Sequence, residues 1–65
     1  MKIYVNGESR ETESPNMQKL LQELQLLPTQ VAIEYNGTVL FHHELSQTQL
    51  HDGDRIEMIR VVAGG

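Results

Sequence analysis

A chain of 65 residues holds one domain, and at this size folding buries only about 60% of the surface that the unfolded chain exposes, so the core must be thin and regular. The absence of cysteine removes disulfides, thiolate zinc sites, iron–sulfur ligation and a cysteine nucleophile together. Nine acidic residues against five basic ones give a net charge of −4, which argues against binding a nucleic-acid backbone and favours a basic or neutral partner surface. No apolar run approaches the roughly 20 residues of a membrane span, and no basic region followed by an apolar stretch opens the chain. The expectation is a cytoplasmic protein with no membrane and no nucleic-acid partner.

In chain order, Met1 to Val5 alternates apolar and other residues and meets Asn6-Gly7, a strong hairpin signal. The returning strand, about Glu8 to Glu13, is polar and reads as exposed, with charges that discourage edge pairing. Ser14 at N-cap and Pro15 at N1 predict a helix start. Met17, Leu20, Leu21, Leu24 and Leu27 follow at helical spacing as one buried stripe, and Pro28 ends the helix.

Val31 to Tyr35 alternates again and runs into Asn36-Gly37, after which Val39-Leu40-Phe41 predicts a brief fourth strand. From His42 to His51 the chain is polar, with Leu45 and Leu50 as anchors, and Asp52-Gly53-Asp54 predicts a turn into the last strand. That strand carries apolar residues on both sides. Ile56 and Met58 face one way and pack the helix, while Glu57, Ile59 and Val61 face the other.

With Tyr4, Lys2 and Glu34 from neighbouring strands, Glu57 and Ile59 form an open face that is either a docking surface or ordinary solvent-exposed sheet. These elements predict an α+β domain over residues 1–65 in ββαββ order. A mixed sheet of four to five strands carries one helix across one face, with the first and last strands central and parallel.

Other constellations are weaker. Adjacent His42 and His43, read as lying on an extended segment, point to opposite faces and cannot easily share an ion with each other, so no metal site is expected. Asp52 and Asp54 lack the longer loop and distal Glu of a calcium site. His51 beside Asp52 has no nucleophile context and reads as surface.

The chain ends in Val61-Val62-Ala63-Gly64-Gly65. Two residues without side chains fit a frayed terminus, or a slim flexible tail over 62–65 that threads a narrow channel and presents a carboxyl carbon.

Taken in order, the Lys2-Ile3 strand, Asn6-Gly7, the leucine-rich helix, Val31-Ala32-Ile33-Glu34-Tyr35-Asn36-Gly37, Asp52-Gly53-Asp54 and the terminal Gly64-Gly65 resemble the thiamine-biosynthesis sulfur carrier (ThiS) family. The resemblance spans the whole chain and implies the ubiquitin-like β-grasp fold. No proline precedes the terminal Val-Ala-Gly-Gly, which favours this branch over the molybdopterin sulfur carriers. Phe41-His42-His43 stands where many members carry a proline and a basic residue.

The resemblance implies a protein co-substrate, not an enzyme, with no catalytic residue and no cofactor of its own. A ThiF-like adenylyltransferase using ATP and Mg²⁺ would activate the Gly65 carboxyl. A sulfur donor such as a cysteine desulfurase would supply the sulfur for a thiocarboxylate, and a ThiG-like thiazole synthase would receive it. Gly64, Ala63 and Val62 would be the tail inserted into the partner. Ile59, Tyr4, Glu57 and Glu34 would be the docking face of a chain that is a monomer when free. The alternatives are a molybdopterin-type carrier, a ubiquitin-like modifier, or a non-covalent interaction module.

Overall fold

The computed structural model describes residues 1–61. Strands β1 (Lys2–Val5) and β2 (Glu8–Glu11) form a hairpin, followed by helix α1 (Met17–Glu23). Strands β3 (Val31–Tyr35) and β4 (Thr38–Leu40) form a second hairpin, and β5 (Arg55–Arg60) closes the fold. Short 3₁₀ segments lie at Pro28–Gln30 and His42–Gln47. The expected tail of Val62, Ala63, Gly64 and Gly65 lies outside the described residues.

Both Asn-Gly pairs make the predicted turns because both central residues take positive φ. The values are 52° and 82° at Asn6-Gly7, and 48° and 87° at Asn36-Gly37. Asparagine tolerates that region and glycine has no Cβ to clash, and this backbone twist matches that of the flanking strands.

The strands form one five-stranded sheet in the order β2-β1-β5-β3-β4. β1 and β5 run parallel at its centre, and the other pairs are antiparallel. This is the mixed sheet with one helix that the sequence predicts.

Ile3, Ile33 and Ile56 project from the three inner strands onto Met17, Leu20 and Leu21 of α1, all of them buried. Leu45 and Leu50 close the core from the 3₁₀ segment and the loop after it, as anchors should. Polar Thr12 and Ser14 are buried as well.

Several boundaries differ from expectation. β2 stops at Glu11, not Glu13, because the Thr12 hydroxyl turns inward to Glu23, at 2.6 Å. The helix N-cap is Asn16, not Ser14: Asn16 Oδ1 accepts from the Lys19 N–H at 2.8 Å. Ser14 is unavailable because its hydroxyl donates to Glu23, at 2.8 Å. Pro15 therefore precedes the helix.

At the other end α1 stops well before Pro28. Gln25 adopts φ 60°, its N–H bonds to the Gln22 carbonyl, and the Leu26 N–H bonds to the Leu21 carbonyl. This paired closure reverses the chain and turns Leu26 toward the core. Leu27, expected in the buried stripe, is 61% exposed, and Pro28 begins the 3₁₀ turn instead.

A left-handed glutamine is costly where glycine is not. Gln25→Gly is expected to raise unfolding free energy by about 0.5–1 kcal/mol, read as a higher urea midpoint at unchanged slope. A lower midpoint would mean that the added freedom of the unfolded glycine outweighs the relief of strain.

Candidate functional site

The site is built around β5, the strand that leads toward the chain end. Backbone pairing to β1 covers only Tyr4 with Arg55 and Val5 with Ile56. Asn6 lengthens that ladder with its side chain. Its Oδ1 accepts from the Met58 N–H at 2.8 Å and its Nδ2 donates to the Met58 carbonyl at 3.2 Å, as a further strand residue would. Asn36 does the equivalent on the β3 side, where its Oδ1 accepts from the Arg55 N–H at 2.8 Å. The asparagine that makes each turn thus also holds the central strand. At the far end of β5, the Val61 N–H donates to the Gln30 carbonyl at 2.9 Å.

Asp54 fixes the point where β5 begins. It is buried, and its Oδ2 accepts from the Tyr35 hydroxyl at 2.6 Å and from the His51 N–H at 2.7 Å. Its Oδ1 accepts from Asn36 Nδ2 at 3.1 Å. Burial opposes the anion, but bonds from Tyr35, the His51 backbone and Asn36 outweigh it and hold the carboxyl below its ordinary range. Burial and the Asp54 carboxylate push the Tyr35 hydroxyl up to about 12. The predicted Asp52-Gly53-Asp54 turn therefore contains a structural anion. Two of its three partners, Tyr35 and Asn36, lie 19 and 18 positions earlier on β3 and its turn. No local pattern announces that connection.

A second polar cluster ties β2 to α1. Glu23 accepts from Thr12, from Ser14 and, through an ion pair of 2.8 Å, from Arg10. The Thr12 hydroxyl bond is the main reason the Glu23 carboxyl lies below its ordinary range. Sequence reasoning missed this cluster too. A run of polar residues signals an exposed strand, and only the position of the helix shows that Thr12 and Ser14 face inward.

The sheet face opposite the helix carries the residues predicted to dock. Glu57 lies directly across from Glu34, and Ile59 across from Ala32. Val39 flanks Glu34 on the other side. Tyr4 lies apart from them. It pairs with Arg55, its ring is half-buried, and it is covered by Arg55 at 5.1 Å and Lys2 at 5.8 Å. The structure thus brings Glu34, Glu57 and Ile59 together and places Tyr4 under two cations at the other end of the face.

His42 and His43 occupy a 3₁₀ segment rather than the extended one expected. His43 stacks parallel to Phe41 with ring centres 6.2 Å apart. Asp52 Oδ1 accepts from the Lys2 N–H at 2.8 Å, so its carboxylate holds the start of β1.

A five-stranded mixed sheet with central parallel strands, wrapped around one helix, is the ubiquitin-like β-grasp. The structure superposes on the crystal structure of the thiamine biosynthesis protein ThiS from Geobacter metallireducens with a TM-score of 0.84. The two are 30% identical, and all of both chains is covered. The ThiS family model matches residues 3–65, and the chain belongs to that family.

Among curated relatives, the sulfur carrier protein ThiS of Thermus thermophilus is 29% identical over 63 residues, covering 97% of this chain and 98% of that one. A thiazole synthase of Paramagnetospirillum magneticum is 33% identical over 66 residues. That match takes in 100% of this chain but only 20% of the synthase, so the chain spans a fifth of that relative's length.

Proposed function

We propose that this chain is a sulfur carrier of thiamine biosynthesis that acts as a co-substrate and not as a catalyst. The observation that carries the reading is the family match, which runs through Gly64 and Gly65. The kinship to thiazole synthases supports a partner of that kind.

A carboxylate is a poor acyl donor because its leaving group would be oxide, so activation must come first. A ThiF-like adenylyltransferase joins AMP from ATP to the Gly65 carboxyl, with Mg²⁺ held by that partner, and pyrophosphate leaves. Persulfide sulfur from a donor such as a cysteine desulfurase then displaces AMP to give an acyl disulfide, which a thiol reductant cleaves to the thiocarboxylate; sulfide gives the thiocarboxylate directly. On a ThiG-like thiazole synthase the acyl C–S bond breaks as the sulfur passes to the acceptor, and an oxygen from the acceptor or from water takes its place, so the carrier returns with its carboxylate. Val62, Ala63 and Gly64 supply a slim lead into the partner's channel. Ile59, Glu57 and Glu34 contact its surface, with Tyr4 at the margin.

The test is an intact mass of the protein after incubation with the adenylyltransferase, ATP, Mg²⁺ and a sulfide source. The expected product carries one sulfur in place of one oxygen, located at Gly65 by fragmentation. If the same enzyme charges a known carrier and leaves this chain unchanged, the proposal fails.

A further inference from the structure

The two Asn-Gly turns carry a chemistry that sulfur transfer does not use. An asparagine amide is thermolabile, most of all before glycine, whose backbone nitrogen approaches the side-chain carbonyl carbon with no side chain of its own in the way. Both pairs stand exposed, and a Cβ built on Gly7 or Gly37 would meet nothing within 4 Å, so water reaches both turns.

What each amide touches is different. Asn6 faces backbone alone, its Oδ1 and Nδ2 bonded to the N–H and the carbonyl of Met58. Asn36 faces an anion. Its Nδ2 donates to Asp54 Oδ1 at 3.1 Å, while its Oδ1 accepts from the Arg55 N–H. The strands that leave the two turns also differ. β2 has four residues paired with β1 and is tied to the helix where Arg10 bonds Glu23. β4 has three paired residues at the opposite sheet edge, with Thr38 and Val39 exposed. The shorter hairpin opens more often, and opening frees its amide to react.

We propose that Asn36-Gly37 is a site of spontaneous deamidation that acts as an irreversible charge switch at the start of β5, replacing a neutral amide with a carboxylate set against Asp54. The Gly37 nitrogen gives up its proton and attacks Asn36 Cγ, and the new C–N bond closes a five-membered imide. The Cγ–Nδ2 bond breaks, and Nδ2 leaves as ammonia. Water then opens the ring. Attack at the side-chain carbonyl leaves aspartate, and attack at the backbone carbonyl leaves isoaspartate, which adds one carbon to the backbone of a tight turn. No oxidant or reductant enters.

Either product turns a donor into an acceptor and adds a charge. Asp54 cannot turn away from it, because it is buried and its other oxygen holds the Tyr35 hydroxyl and the His51 N–H. Two carboxylates so close cannot both ionise without cost, so one keeps its proton to higher pH. The titratable groups of this corner are Asp54, Tyr35 and His51, with the Arg55 guanidinium directed over Tyr4. At Asn6 the same reaction sets the new carboxylate against a carbonyl instead.

The test incubates full-length protein in mildly alkaline buffer and follows the mass gain of amide-to-acid exchange at each asparagine by peptide mapping. Conversion is expected to run several-fold faster at Asn36 than at Asn6, and faster at both than at Asn16, which Met17 follows. Asn36→Asp reproduces one product. At neutral pH its melting temperature is expected to lie further below the parent's than that of Asn6→Asp. The gap between the variants narrows in acid, because a group with a raised folded value contributes fully there and loses its contribution as pH rises. Deamidated parent, separated by ion exchange, gives the same comparison without a substitution. No conversion, or equal rates at Asn36 and Asn6, overturns the site. An Asn36→Asp variant no less stable than Asn6→Asp at neutral pH overturns the charge switch.

Discussion

Asp54→Ala is expected to remove about 3 kcal/mol of stability. The substitution leaves the Tyr35 hydroxyl, the His51 N–H and the Asn36 amide without the carboxylate they now share. Bonds to a charged group are worth about 1.5–3 kcal/mol each, but they do not add here. The Tyr35 hydroxyl also lies 3.0 Å from the Gln49 carbonyl, and Asn36 can turn to water. A domain of 65 residues has a total stability of about 3–10 kcal/mol, so the loss is a large share of the whole. Urea unfolding should show a much lower midpoint at unchanged slope. A midpoint equal to the parent's would mean that solvent replaces all three bonds. Asp54→Asn should fall between, since one of its two acceptors becomes a donor facing a donor.

The same cluster sets the dependence on pH. Asp54 has a folded value below its unfolded one, so its contribution is complete above the ordinary value of 3.8 and is lost as pH falls through the folded value. Glu23 acts in the same direction below its ordinary 4.5. Tyr35 works at the other end. Its folded value is raised, so its contribution is complete below 10.0 and disappears as pH climbs toward about 12. Tyr35→Phe should flatten the alkaline limb of a stability–pH curve and also weaken the acid limb, because Asp54 loses the hydroxyl that helps hold its carboxyl down, while the bonds from the His51 backbone and Asn36 keep part of it. An unchanged alkaline limb would assign that loss to other groups.

Gly64→Leu is expected to cut sulfur loading at Gly65 by about 100-fold or more while leaving the melting temperature where it was. Under the carrier reading the reacting carboxyl must reach a partner's active site through a channel. A branched side chain next to it displaces the acyl carbon, and misplacement by about 1 Å costs roughly that factor. Loading rates from intact mass and an unfolding curve on the same sample separate the two effects. Loading at the parent rate would show that no narrow passage surrounds this residue, while a lowered melting temperature would show a structural role in place of a transfer role.

Much of the fold is legible in the order of residues because its signals are local. Two Asn-Gly pairs each demand positive φ at adjacent positions, and both hairpins form where those pairs stand. The alternation of Ile56 and Met58 with Glu57 and Ile59 separates helix side from open side in the structure as it does in the sequence. Helix ends were less legible. Ser14 and Asn16 are both good N-caps, and the choice fell to Asn16 because Ser14 was needed by Glu23, nine residues away. Leu27 continues a helical stripe on paper. Only the left-handed turn at Gln25, which no glycine advertises, sends it to solvent.

By itself the sequence determined a small, cysteine-free chain of two hairpins, one helix and a final two-faced strand, since strand alternation, helical spacing and turn chemistry each act within a few residues; the β-grasp was implied by the family resemblance. Only the tertiary structure decided which polar groups hold it together and how its open face is arranged. Asp54 meets Tyr35 across 19 positions, and Glu57 meets Glu34 because β5 inserts between β1 and β3. Such pairings depend on the register of strands distant in sequence, which no local preference specifies.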